Sequence, residues 1–176
     1  MKLKSKWPVR RFFAFLGALY LFCAVTPLLF AESGTAKSKS VFRIYDTATE
    51  TVRTVNDLDF LCGALPCEMA VSAPDEALKA QIIAIHTLYD RKRRENTGKD
   101  FDFTCDSAEK SIYTVDAGLT DEEQNRVRAL CLSVLNKEIY FENEPIDACY
   151  FAISAGCTQP FENVWPEKSY PYLTAV

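Results

Sequence analysis

Hydrophobic and polar positions divide the chain into an uncharged, mostly apolar stretch, Phe12–Phe30, and a longer region from Val41 onward in which apolar residues recur at secondary-structure spacings. Val41–Tyr45 and Thr51–Val55 are rich in β-branched and aromatic residues and flank the polar Asp46–Glu50, a pattern that predicts a β-hairpin. Leu58–Leu65 reads as a short helix ending before Pro66, because a residue preceding proline is disfavoured in the helical region. A longer helix is predicted after Ser72. Pro74 suits its first turn, Asp75 and Glu76 favour the positive end of its dipole, Gly98 stops it, and Leu78, Ile82, Ile85 and Tyr89 form its inward stripe. Thr120-Asp121-Glu122-Glu123 has the form of a capping box, with Val127, Leu130, Cys131 and Val134 as the buried stripe of the helix that follows. A second hairpin is expected from Ile139–Phe141, a turn at Glu142–Pro145, and Ile146–Ile153, leading into the small residues Ser154, Ala155 and Gly156. Together these elements predict a single α+β domain with two main helices and β-hairpins.

Charge separates the two parts further. Lys2, Lys4, Lys6, Arg10 and Arg11 precede the apolar stretch without an intervening acid, although acids outnumber bases 24 to 20 over all 176 residues. The stretch approaches the ~20 apolar residues that cross a bilayer as a helix. The basic cluster before it predicts a cytoplasmic tip. Residues 1–30 therefore read as a membrane anchor, favoured slightly over a cleaved export signal, 31–40 as a polar linker, and 41–176 as an extracytoplasmic domain tethered to the cell membrane. Six cysteines outside the apolar stretch (Cys62, Cys67, Cys105, Cys131, Cys149, Cys157) fit disulfides in an exported domain, but they contain no CxxC spacing and an anaerobic setting would leave them reduced. The acidic balance excludes a basic nucleic-acid module, so no nucleic-acid partner is expected.

Candidate chemistry is limited by a single histidine, His86, which excludes a multi-histidine metal centre and makes a hydrolytic triad improbable. Cys105 has no Cys or His in the next five residues, and neither a phosphate-binding glycine loop nor HExxH occurs, so no metal or other cofactor is called for. Carboxylates remain, with Glu68, Asp147 and Glu162 as candidates. Glu68 stands among Leu65, Pro66, Cys67 and Met69, surroundings expected to desolvate it and favour its protonated form. A lone Glu in a loop is, on composition alone, usually a solvated or capping residue. The basic run Arg91-Lys92-Arg93-Arg94 is read as complementing a helix C-terminus in preference to contacting an anionic polymer.

Gly63-Ala64-Leu65-Pro66-Cys67-Glu68-Met69 followed by Glu76-Ala77-Leu78-Lys79-Ala80-Gln81 resembles the core of the stage II sporulation protein D family, in which Pro-Ser-Glu-Met precedes Glu-Ala-Leu-Lys-Ala-Gln. Cys105-Asp106, Pro145-Ile146-Asp147-Ala148, and Ser154-x-Gly156-x-Thr158 with Glu162-Asn163-Val164-Trp165 and Pro171-Tyr172-Leu173 follow in the family's order. Each motif is weak alone; together they are specific. The resemblance implies a membrane-anchored peptidoglycan lytic transglycosylase that cuts glycan strands lacking stem peptides during engulfment of the forespore. It also implies a cell-wall amidase and a membrane component of the engulfment machinery as partners, and a role for Glu68 as the catalytic acid. The alternative is a non-catalytic glycan-binding or amidase-enhancing module.

Further implied positions are Lys79 and Gln81 of the helix motif, with Lys79 placed to meet an anionic lactyl group, and Ser154, Gly156 and Thr158, whose small side chains would let a sugar approach the backbone. His86 stands where the family usually carries Arg, and is read as a substituted groove residue on the Lys79 flank of the helix. Trp165 is expected in the core in preference to stacking on a sugar. Glu109 and Lys110 stand where some members have zinc-binding His and Cys, which implies loss of that site. Cys67, in place of the usual Ser, and Cys157 could bring a thiol pair near the active centre. The pattern also stops at Val176, earlier than is usual for the family.

Overall fold

The computed structural model describes residues 40–154 and 156–176. The apolar stretch Phe12–Phe30 lies outside them; among the described residues no helix is long and apolar enough to cross a membrane. The described domain is of mixed α+β type, in the order β1 (Val41–Asp46), β2 (Thr51–Asn56), α1 (Asp57–Glu68), α2 (Asp75–Glu95), β3 (Phe103–Cys105), α3 (Asp121–Val134), β4 (Tyr140–Phe141), β5 (Glu144–Pro145) and the short α4 (Phe161–Val164).

Strand β1 is the centre of a three-stranded sheet of order β2-β1-β3, antiparallel to β2 and parallel to β3. Its alternation puts Phe42, Ile44 and Asp46 inside, as the two-residue period of a half-buried strand requires. Phe42 meets Phe60 of α1 with ring centroids 4.7 Å apart, and Tyr89 of α2 meets Phe103 of β3 at 4.5 Å. Helices α1, α2 and α3 pack on one another. The stripes Leu78, Ile82, Ile85, Tyr89 and Val127, Leu130, Cys131, Val134 are both buried, so each helical face follows the sequence periodicity. The Thr120–Glu123 capping box forms as read.

Two expectations need correction. Helix α1 does not stop before Pro66 but runs through it to Glu68, and Met69 N–H donates to the Leu65 carbonyl at 3.0 Å. Pro66 lies in the last turn, and the buried Gly63, Ala64 and Leu65 before it hold the helix to the core through it. Gly63 is required there, because a Cβ would stand 2.3 Å from the Thr114 carbonyl oxygen. The second hairpin contracts to β4 and β5, joined by Glu142 and Asn143 at φ 49° and 67°, a tight turn with both central residues left-handed. Ile146–Ile153 forms no strand and is irregular.

Candidate active site

Glu68 ends α1, and its position is set from three sides. Asn56 starts the helix, its side chain accepting from Asp59 N–H at 2.9 Å. Gly63 allows the 113–114 segment to lie against the helix, with Thr114 N–H bonded to the Gly63 carbonyl at 3.2 Å. Beyond Glu68, the turn leading to α2 is clamped by Arg126 of α3, which donates to the carbonyls of Val71 and Ala73 (2.8 Å to the latter) and to Asp75. The carboxylate thus projects from a fixed helix end, and it is exposed rather than desolvated by Leu65, Pro66 and Met69 as the sequence had led us to expect.

Two phenols respond to its charge. Burial first, then the Glu68 charge, push the Tyr150 phenol far above its ordinary value. Tyr89, in the core one layer below, is raised by burial and then by the same charge. Both therefore remain protonated at neutral pH. The neighbouring Cys67 thiol is also raised, by burial and then by Glu68, and it donates to the Gly63 carbonyl at 3.3 Å. A thiol held this way is protonated and unreactive.

The other positions singled out in the sequence are placed elsewhere. Lys79 pairs with Glu76 on its own helix at 2.7 Å, and that bond raises its affinity for its proton. Gln81, two residues on and so on the far side of the helix, is half-buried, with an Nε2 that has no hydrogen-bond partner. His86 is the main correction. It is 1% exposed, with Nε2 3.8 Å from Asp57 and 3.7 Å from Glu138, and so belongs to the interior and lines no groove. The reason is angular: it directly follows Ile85, and the buried side of α2 is wide enough to take Ile85, His86 and Thr87 together. Ser154 and Gly156 are exposed, Gly156 with φ 102°, while Thr158 is engaged, its N–H donating to Val176 O at 2.9 Å and its hydroxyl accepting from Val176 N–H at 2.8 Å.

Trp165 is 50% exposed and stacks on Phe161 with centroids 4.6 Å apart, so it is not a core residue. The arginines of the basic run are engaged within the protein, Arg91 reaching Pro145 O at 2.9 Å and Tyr170 at 3.0 Å and Arg93 and Arg94 bonding the buried Asp90, while Lys92 lies over the Tyr89 ring. The described cysteines are all free thiols, Cys67 and Cys157 included. Among the described residues no cluster of His, Cys, Asp and Glu is arranged to hold a metal.

A family model described as stage II sporulation protein matches residues 45–135. The chain belongs to the stage II sporulation protein D family. Stage II sporulation protein D of Bacillus subtilis (strain 168) is 26% identical over 143 residues, covering 76% of this chain and 41% of the relative. That of Bacillus amyloliquefaciens is 27% identical over 156 residues, covering 83% of this chain and 45% of the relative. The chain therefore spans less than half the length of these curated relatives. The family match runs from the end of β1 to the end of α3 and includes Glu68, the Arg126 clamp and Tyr89, whereas Tyr150 and Trp165 lie beyond it.

Sequence reasoning missed Arg126, Tyr89 as a site residue, and Tyr150. Tyr89 was absorbed into the core stripe, to which it also belongs. Tyr150 left a trace: it carries the only side-chain hydroxyl in the hydrophobic run Ile146–Ile153.

Proposed function

We propose that this domain acts on peptidoglycan during sporulation as a lytic transglycosylase of glycan strands from which stem peptides have been removed. The observation that carries the reading is Glu68: an exposed carboxylate on a clamped helix end, in the family's core motif, with the Tyr150 phenol near enough to respond to its charge. Ordinary glycosidases use two carboxyl groups, one to protonate the leaving oxygen and one to activate water or attack the sugar. Glu68 alone suffices if the muramic acid supplies its own nucleophile. In its protonated form Glu68 gives its proton to the glycosidic oxygen as the C1–O bond breaks. The resulting carboxylate then takes the proton of the 6-hydroxyl as O6 bonds C1, leaving a 1,6-anhydro end and restoring the acid. Tyr150 would hold the carboxyl in one rotamer through this exchange, keeping its own proton.

The same reading puts the domain outside the cytoplasmic membrane, held by the N-terminal segment, with a cell-wall amidase preparing its substrate. The competing reading, a glycan-binding or amidase-enhancing module without catalysis, is favoured by Lys79 and His86 being engaged within the protein. Digestion of purified peptide-free glycan strands, with mass detection of anhydro-muramic ends, separates the two. Release of anhydro ends by the wild-type chain is expected, and strands recovered intact would sink the catalytic reading.

A further inference from the structure

The irregular segment that brings Tyr150 to Glu68 has a second side. Asp147 and Cys149 line a cleft of about 480 Å³, together with Leu88 and Lys92 of α2 and, from the C-terminal region, Phe161, Trp165 and Lys168. Its volume falls within the ~300–1,000 Å³ of small-molecule sites. Phe161 forms the floor, 6% exposed, and Trp165 stacks on it with the planes 29° apart while remaining half exposed. One face of the indole is thus fixed by Phe161, and the rest of its surface is left to solvent.

Charged groups are interleaved with this aromatic surface. The Lys92 ammonium rests 4.7 Å from the centre of the Tyr89 ring, and the Asp147 carboxylate accepts from the Cys149 thiol at 3.7 Å. Cys149 is raised to about 11, by burial first and then by the Asp147 charge, with Lys168 and Lys92 opposing. Asp147, Glu167, Lys92 and Lys168 all line this one cleft. The backbone N–H of Asp147 is fixed separately, donating to the Tyr172 hydroxyl at 3.0 Å.

A fixed aromatic face with two acids and two amines at its edge matches the chemistry of a pyranose, whose axial C–H groups stack while its hydroxyl and N-acyl groups bond at the rim. A peptide helix or a lipid chain would instead need an uninterrupted apolar surface. We infer that this cleft is a saccharide subsite, with Trp165 as its stacking platform and Asp147 and Lys92 as its polar rim. The choice of a sugar rests on the glycan reading above; the cleft itself rests on the geometry. Asp147 and Tyr150 lie three residues apart on one segment, so a strand seated on Trp165 has only that segment to cross to reach Glu68.

The test is calorimetric titration of the full chain carrying Glu68→Gln, in a detergent without a sugar head group, with the N-acetylglucosamine hexamer. Saturable binding is expected, weakened about tenfold by Trp165→Ala, the order of one lost aromatic contact. Trp165→Phe should retain most of the affinity, and Asp147→Asn should weaken it about threefold, a fraction of one hydrogen bond. Because Trp165 is half exposed, thermal melting of Trp165→Ala should match the parent. Absence of binding, or binding unchanged by Trp165→Ala, overturns the subsite. Strand cleavage by the chain with Glu68 intact is scored separately. Hexamer binding through Trp165 without anhydro ends keeps the subsite and sinks the enzyme, while anhydro ends with Trp165-independent binding do the reverse.

Discussion

The two ends of α1 spend their carboxylates differently. At the first, Asp57 is tied in: Ser40 donates to it, His86 stands 3.8 Å away and Arg93 3.9 Å away. At the last, Glu68 is exposed, with its neighbouring phenols on the protein side. A charge already matched by the fold is a structural part, whereas a charge fixed in position and left facing solvent is available for chemistry. The helix between them makes the distinction durable, because Gly63 and the buried Phe60, Leu61, Ala64 and Leu65 fix its roll and therefore the direction of both ends.

The largest effect should come from Glu68→Gln. The amide keeps the shape but cannot exchange the proton, so cleavage of denuded strands should fall by ~10²–10⁴-fold, the range of general acid–base contributions. Denaturation should stay within about 0.5 kcal/mol of the parent, as for an exposed substitution. A variant that retained its rate would remove Glu68 from catalysis and with it the contrast between the ends.

Next in size is His86→Ala at the closed end. Truncation opens a cavity and takes away a neighbour of the Asp57 charge, which should cost about 2–4 kcal/mol in chemical denaturation. Cleavage per folded molecule should not change. His86→Arg should also destabilise, since a longer side chain has no room in a site that is 1% exposed. Normal stability of both variants, with altered pH dependence of glycan binding, would return His86 to a groove and undo its assignment to the interior.

Smaller again is Tyr150→Phe, which keeps the ring and removes the hydroxyl. One hydrogen bond to a charged group contributes roughly 1.5 kcal/mol, so kcat should drop about tenfold. KM should hold, because Tyr150 would act on Glu68 rather than on the sugar. A change confined to KM would make Tyr150 a sugar contact instead.

How legible these ends were differs, for physical reasons. The stripes of α2 and α3, the Thr120 cap and the first hairpin follow from local periodicity and turn chemistry, and the sequence states them almost residue by residue. Glu68 was legible through its motif, since seven consecutive residues from Gly63 carry the resemblance. The burial of His86 was not, because it depends on Asp57 and Glu138, 29 and 52 residues away, meeting on one side of α2. Nor was the C-terminal region: Ile146–Ile153 has strand composition, yet the Asp147 N–H bonds Tyr172 and Tyr150 packs on the core, so tertiary partners override its β propensity. Trp165 failed for the same reason, being a large aromatic whose burial is decided by what packs on it.

The smallest effect lies in the acid limb of stability, and it tests the closed end by proton linkage. Burial would raise the Asp57 carboxyl, but the nearby His86, the bond from Ser40 and the Arg93 charge outweigh it, holding Asp57 below its ordinary value of 3.8. A folded-state value below the unfolded one means that the unfolded chain binds the proton first. The stabilisation is therefore complete above about 3.8 and is lost as pH falls through the lower folded value. Asp46, bonded by Ser107 and Ala48, is lowered to about 2 and contributes a limb of the same sign between 3.8 and 2. In Asp57→Asn the Asp46 limb remains and the Asp57 part disappears, so stability should fall less steeply below pH 4 than in the parent, from a lower plateau at neutral pH. Urea denaturation at half-unit steps from pH 2.5 to 6 reads both slopes. Equal slopes for Asp57→Asn and the parent would mean that the charges at the closed end of α1 do not hold it.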